Sequence, residues 1–287
     1  MIWTRRSVGH RQRFLAVLVS CLALTTGCSD SAPPDPVSTR APQPWSGYLA
    51  DYRLRWTAEP GIDLVTGPAV FLRAYVESFD AVSLTGDINR AYPGFIEAVP
   101  PNEAYERGKP HSPGALGRFP DQTAIDRPPL VGNSLHQIES IDIDEPQLVA
   151  IVCHWNYTMA YRVHDGEFAS VPTSDDKKYD RETDGISASR IKLTKRETGT
   201  PPPSTPQQGP EPAPVSDVFG GWMVAGRNYA PLGNNDEDWP SWRSDLDTCV
   251  AKAPDPLERR KFLMTGEHPR SDFPTLPASP GWPLESN

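Results

Sequence analysis

Three kinds of signal are missing from this sequence. It has no Gly-x-Ser-x-Gly turn, no phosphate-cradling glycine loop and no dinucleotide fingerprint, so hydrolase, kinase and dehydrogenase readings have no support. No two cysteines stand two residues apart and the six histidines are scattered, which removes a zinc-type cluster. The apolar run at the N-terminus, Phe14 to Leu24, stops at eleven residues, short of the roughly 20 that a membrane-crossing helix needs. Positive charge is also scarce. The chain has 28 Lys and Arg against 37 Asp and Glu, and four of the arginines (Arg5, Arg6, Arg11, Arg13) crowd the first residues. The remainder is acidic by about 13 charges, which opposes binding to nucleic acid or to an anionic membrane surface.

Those four arginines, with no acidic residue among them, form a charged n-region, and Phe14–Leu24 forms the h-region of a signal peptide. The run closes on Leu24-Thr25-Thr26-Gly27-Cys28, a small residue directly before a cysteine. This segment resembles the lipobox of bacterial lipoprotein precursors, with Thr25 where Leu is commonest. The resemblance implies that Cys28 receives a diacylglyceryl group and that cleavage falls between Gly27 and Cys28, so that 1–27 is removed. An ordinary secretory signal cut elsewhere is the alternative. Residues 28–44 are Ser/Pro/Asp-rich without apolar periodicity, as a tether off a bilayer would be. Two or more acyl chains, at roughly 0.8 kcal/mol per buried CH₂, make anchoring stable. Thr4-Arg5-Arg6 opens like a twin-arginine signal, but Ser7-Val8-Gly9 stands where an apolar pair belongs, so both export routes stay open. The expected location is the extracytoplasmic face of the cell membrane, lipid-anchored.

Of four cysteines, Cys21 leaves with the signal and Cys28 carries the lipid. Cys153 and Cys249 remain, and two thiols in an oxidising compartment are expected to pair. Two free buried thiols are the alternative. The 33 prolines are many, yet 37% of residues are apolar and eight are Trp, which suits one real core with proline-rich decoration.

Along the chain, residues 45–66 mix Trp45, Tyr48, Leu49, Tyr52, Leu54 and Trp56 at no clear period and read as an irregular or briefly helical lead-in. Thr66-Gly67-Pro68 marks a helix start, followed by Val70, Phe71, Ala74, Tyr75, Ser78, Phe79 and Val82 at helical spacing. A shorter helical piece spans 87–98, broken at Pro93-Gly94, and 99–133 is a long loop. Leu135–Ile143 alternates as a strand and turns at Asp144–Gln147. Val149, Ile151, Cys153, Trp155, Tyr157, Met159, Tyr161 and Val163 then occupy every second position, predicting one long strand with one buried face. Asp165-Gly166 is a hairpin dipeptide, so 167–171 should fold back. Strands follow at 186–197 and 219–229 around a Pro-rich loop at 198–216, and the 231–287 extension holds a helix near 242–251 and then extended chain.

Helices first, then an antiparallel meander with aromatic inward faces, is an α+β order. With Phe71–Phe79 as first helix and Gly221-Trp222-Met223-Val224 as last strand, residues 66–230 of a domain spanning 45–230 resemble the nuclear transport factor 2-like cone fold, in which N-terminal helices pack on a curved antiparallel sheet. Another α+β roll is the alternative. The resemblance implies a conical cavity used for binding or catalysis, or else a packed core, so fold does not decide function. Residues placed to line such a cavity are Tyr75, Glu139, Trp155, Tyr157, Tyr161 and Trp222. Glu139 counts onto the face of Ile141 and Ile143 and is the candidate acid/base carboxylate, whereas His154, opposite in parity to Trp155, is expected at the surface or in a second layer. Ser174-Asp175-Asp176 and Asn234–Asp238 lack the spacing of a calcium loop and read as solvated acidic loops. No metal or cofactor is implied.

The expectation is therefore a non-enzymatic binding module, holding a small apolar ligand or a protein partner in the cell envelope. The rivals are a cavity enzyme of the isomerase or dehydratase type, and a structural accessory of an envelope complex docking through 198–216.

Overall fold

The structure, a computed structural model, describes residues 43–106, 111–123, 128–172, 182–196, 201, 203–231 and 237–284. The signal segment, Cys28, the tether up to residue 42, Ser174-Asp175-Asp176 and Asn234-Asn235-Asp236 lie outside the described residues. No helix among the described residues is long and apolar enough to cross a membrane.

Alternation of side chains builds most of the sheet. β1 (Asp51–Ala58) buries Tyr52, Leu54 and Trp56 and leaves Arg53 and Arg55 half-exposed. The lead-in expected to be irregular or helical is thus a single 3-10 turn at Gly47–Leu49 and then a strand, whose period of two is masked by the aromatics just before it. β2 (Leu130–Asp144) starts inside the stretch expected to be loop, then turns into β3 (Gln147–Trp155). β4 (Met159–His164) and β5 (Glu167–Ser170) form the expected hairpin, with Gly166 at φ 83° supplying the turn. β6 (Ile186–Lys195), β7 (Trp222–Ala230) and the two-residue β8 (His268–Pro269) complete it. The sheet is curved and unclosed, in the order β7-β6-β3-β2-β4-β5-β8. β1 pairs with β2 in parallel, off that path, and the other pairs are antiparallel.

The long strand expected at 149–163 is two. Against β2, Leu135 faces Trp155 but Gly132 faces Met159, so the return arm carries one extra residue within Asn156-Tyr157-Thr158. Gly132 makes room for it: at φ 92°, a Cβ there would lie 2.2 Å from the Thr158 carbonyl oxygen. One extra residue moves every later side chain to the other face. Ile151, Cys153, Trp155 and Tyr157 face one core, while Met159 and Tyr161, of the same parity, face the other. The sheet is buried on both faces, not one. A second register shift between Ile138 and Ser140 puts Ile138 and Ile141 in the same core and leaves Glu139 at the shift itself.

On the first face lies α1 (Gly67–Thr85), with Pro68 in its first turn and Gly86 at φ 70° closing its end. Its Phe71, Leu72, Tyr75 and Val76 pack with Leu148, Val152, Ile191 and Val224, each full burial stabilising by roughly 1.5–3 kcal/mol. The piece expected at 87–98 resolves into a 3-10 turn (Ile88–Arg90) and the four-residue α2 (Phe95–Ala98). On the second face lie α3 (Trp242–Ala251), where a helix was expected, and α4 (Leu257–Leu263), where extended chain was. Leu246, Cys249, Leu263 and Met264 pack there on Trp155 and Ile186. The Cys153–Cys249 disulfide joins β3 to α3 with an S–S distance of 2.01 Å. Beyond it the chain returns to the first core, where Trp282 is fully buried.

Candidate functional site

The face of the sheet under α1 changes character along its strands. At one end its buried register holds Ile138, Val152, Ile191 and Leu193. At the other the same register holds polar side chains in a row: Trp56 pairs with His136, His136 with His154, and His154 with Ser187, one residue from each of β1, β2, β3 and β6. Ser134 lies one step further along β2 and Tyr52 two along β1, and Arg227 and Tyr229 come from β7. Across from them, the last turns of α1 bring Phe79, Asp80 and Leu84. All of these but Trp56, which stacks on His136, line a partly open cavity of about 420 Å³.

Four polar atoms of its wall are buried without a hydrogen-bond partner among the described residues, His136 Nε2, Asn156 Oδ1, Ser187 Oγ and Arg227 Nε, and the Tyr52 hydroxyl beside them is within reach of Ser134. Buried polar groups are nearly always paired, because an unmade bond leaves the desolvation cost of the group standing, about 1–3 kcal/mol each. Four around one space call for water or a bound molecule there.

His136 and His154 meet through their Nδ1 atoms at 2.8 Å, and His154 Nε2 lies 2.9 Å from Ser189 Oγ. Only one Nδ1 of such a pair carries the shared proton. Whichever tautomer forms, His136 Nε2 is the free end of the chain, a donor in one and an acceptor in the other. Burial pushes His136 down to about 3, with the Arg227 charge adding, and holds His154 well below the ordinary histidine range, so both rings are neutral at neutral pH. His154, expected at the surface or in a second layer, is 7% exposed and so belongs to a second layer. Parity puts it opposite Trp155, as expected, but that opposite face is a second buried face.

Asp80 is the carboxylate of the site. Burial raises it to about 7, against the pull of Arg227 and with a further push from Glu77. Arg227 lies over the rings of Phe79 at 4.1 Å and Tyr229 at 5.1 Å. Its strand is set by a close backbone contact: Arg227 N–H donates to Gly114 O at 2.9 Å, and a Cβ at the adjacent Gly226 would lie 2.2 Å from Pro113 O. Glu77, one turn before Asp80, anchors the helix over the sheet. It accepts from Trp56 Nε1 (2.8 Å), Tyr92 Oη (2.6 Å) and Trp282 Nε1 (2.8 Å), and Trp56 in turn stacks on His136 at 4.7 Å.

The six residues expected to line a cavity lie elsewhere. Tyr75 is buried in the first core and its hydroxyl donates to Arg118 O at 2.7 Å. Trp155 and Tyr157 face the second core, Trp155 Nε1 donating to Cys249 O at 2.9 Å and Tyr157 Oη accepting from Asp255 N at 3.3 Å. Tyr161 packs on the first core, and Trp222 is half-buried at the start of β7 with Lys195 Nζ 5.6 Å from its ring. Glu139 is held by Lys252, which also reaches Glu59 at 2.8 Å, and by Gln137. That arrangement is an ion-paired cluster beside α3, away from the cavity.

The sequence signal for this cavity is a polar residue standing in a buried register. Ser187 and Ser189 share parity with Ile191 and Leu193, and Arg73, Glu77 and Asp80 recur at four and three residues along a helix buried nearly all round. Among the described residues no group of three or more His, Cys, Asp or Glu is placed to hold a metal ion. Comparison with known proteins finds no matching family model, no similar curated protein and no similar solved structure.

Proposed function

We propose that this chain is an extracytoplasmic lipoprotein, held at the cell membrane through a lipid on Cys28, whose folded unit binds a small polar molecule in the cavity between α1 and the sheet. The observation that carries the binding role is the convergence of His136, Asn156, Ser187 and Arg227, each with a buried unpaired polar atom, on one space of about 420 Å³. The polar wall shifts the ligand class from apolar to polar. The anchor rests on the charged n-region, the eleven-residue apolar run and Gly27-Cys28. A helix laid on a curved antiparallel sheet supports the nuclear transport factor 2-like reading, with α3, α4 and the returning tail as additions to it.

The described part of the 198–216 loop is tied inward, which weighs against a docking role. Gln207 N donates to Val65 O at 2.7 Å, Gln207 O accepts from Arg73 at 3.0 Å, and Ala213 is buried. A second reading, an acid/base enzyme at the same cavity, is favoured by one observation: Asp80, raised to about 7, is poised to take or give a proton at neutral pH. Its carboxylate would be Asp80 rather than Glu139.

Native mass spectrometry of the full exported chain, extracted in mild detergent from its own cells, tests the proposal. A stoichiometric small-molecule adduct, lost in a Ser187→Trp variant that fills the cavity, is the expected result. A bare mass for the wild type counts against it. Incubation with the isolated molecule separates the two readings, since a binding protein returns it unchanged and an enzyme does not.

A further inference from the structure

We infer that the cavity selects a molecule without net charge that carries several hydroxyl groups, of the class of cyclic polyols and single pyranose rings. The inference rests on the binding role proposed above and names what is bound.

The wall has a mixed polar inventory. Arg227 Nε–H can only donate and Asn156 Oδ1 can only accept, whereas Ser187 Oγ and His136 Nε2 serve either way, the last through its tautomer. A ligand that satisfies all four must both donate and accept, which is the property of a hydroxyl. A carboxylate or phosphate supplies acceptors alone and leaves Asn156 Oδ1 unmet. An ammonium supplies donors alone and leaves Arg227 Nε unmet.

Charge leads to the same class. Among the described residues the charged groups at the cavity are Arg227 and Asp80, one of each sign, and both histidines are neutral. With Asp80 ionised these sum to zero, and a charged ligand would enter a partly enclosed space in which they leave it no net counter-charge. Size permits it, since a space of about 420 Å³ admits a single ring together with ordered water. Phe79, Leu84, Met159 and Val171 give the space an apolar side against which the C–H faces of a ring can lie.

The test is calorimetry and thermal shift on the full exported chain at pH 8, where Asp80 is ionised. The probes are myo-inositol, D-glucose, D-galactose and D-mannose, then D-glucuronate and D-glucosamine as charged counterparts. At least one neutral probe should bind, with both charged ones at least tenfold weaker. Asp80→Asn leaves Arg227 unopposed and should reverse the order, glucuronate then binding more tightly than the neutral sugars. Glucuronate or glucosamine binding the wild type as well as the neutral probes do would overturn the ligand class and leave the binding site standing. So would an adduct of another class in the native mass spectrum. No probe binding together with a bare native mass would mean a cavity that holds water only, and would overturn both.

Discussion

Asp80 couples the site to stability. Its carboxyl sits at about 7 in the folded chain against 3.8 for an unperturbed one, burial being the main cause. Between those values the folded chain holds a proton that the unfolded chain has lost, so stability falls as pH rises from about 4 to about 7 and is level above. Melting temperatures at pH 5 and pH 8 should therefore differ in the wild type, with the higher at pH 5. In Asp80→Asn this part of the difference should vanish, and an undiminished slope would remove Asp80 as its source. Glu77 plays another role. It is 4% exposed and accepts from two tryptophans and a tyrosine. Glu77→Ala strands those three donors and the nearby Arg73, and should cost about 3–5 kcal/mol in urea unfolding. A loss below 1 kcal/mol would mean that the three donors find other acceptors.

Among the elements, what could be read in the sequence depended on distance along the chain. The Asp165-Gly166 hairpin, the turn at Glu145-Pro146 and the α1 start at Pro68 are local, and the residues that make them are adjacent. β1 is not local: its partner in β2 lies some 80 residues on, and a parallel pairing leaves no turn signal between the two. The break at Asn156-Tyr157-Thr158 is hidden for another reason. A bulge that flips parity between two buried faces leaves the apolar alternation intact, so Trp155 and Met159 read as one face while packing in two cores. The candidate site is hidden for a related reason: with one apolar face counted on β3, His154 falls off that face, and only a sheet covered on both sides buries it. Gly132 carries the testable part: Gly132→Val places a side chain against the Thr158 carbonyl and should lower the melting temperature by several degrees, whereas the open turn position Gly221 should accept Ala with little change.

At the scale of the whole chain, the disulfide and the proposed lipid are separable. The Cys153–Cys249 bridge closes a loop of 96 residues, so reduction should destabilise by about 4–5 kcal/mol in the chain-entropy picture. The lipid proposed on Cys28 should set location alone. Cys28→Ala should move the protein from the membrane fraction to the soluble one with its melting temperature unchanged, and retention in the membrane would exclude Cys28 as the anchor.

The cavity is the centre of the account, and a high-resolution crystal structure of the protein purified from its own membranes examines it directly. Continuous density of one small molecule is expected between α1 and the sheet, within hydrogen-bond reach of at least three among Tyr52 Oη, His136 Nε2, Asn156 Oδ1, Ser187 Oγ and Arg227 Nε. Separate waters on those atoms, or side chains turned to pair with one another across a closed gap, would contradict it.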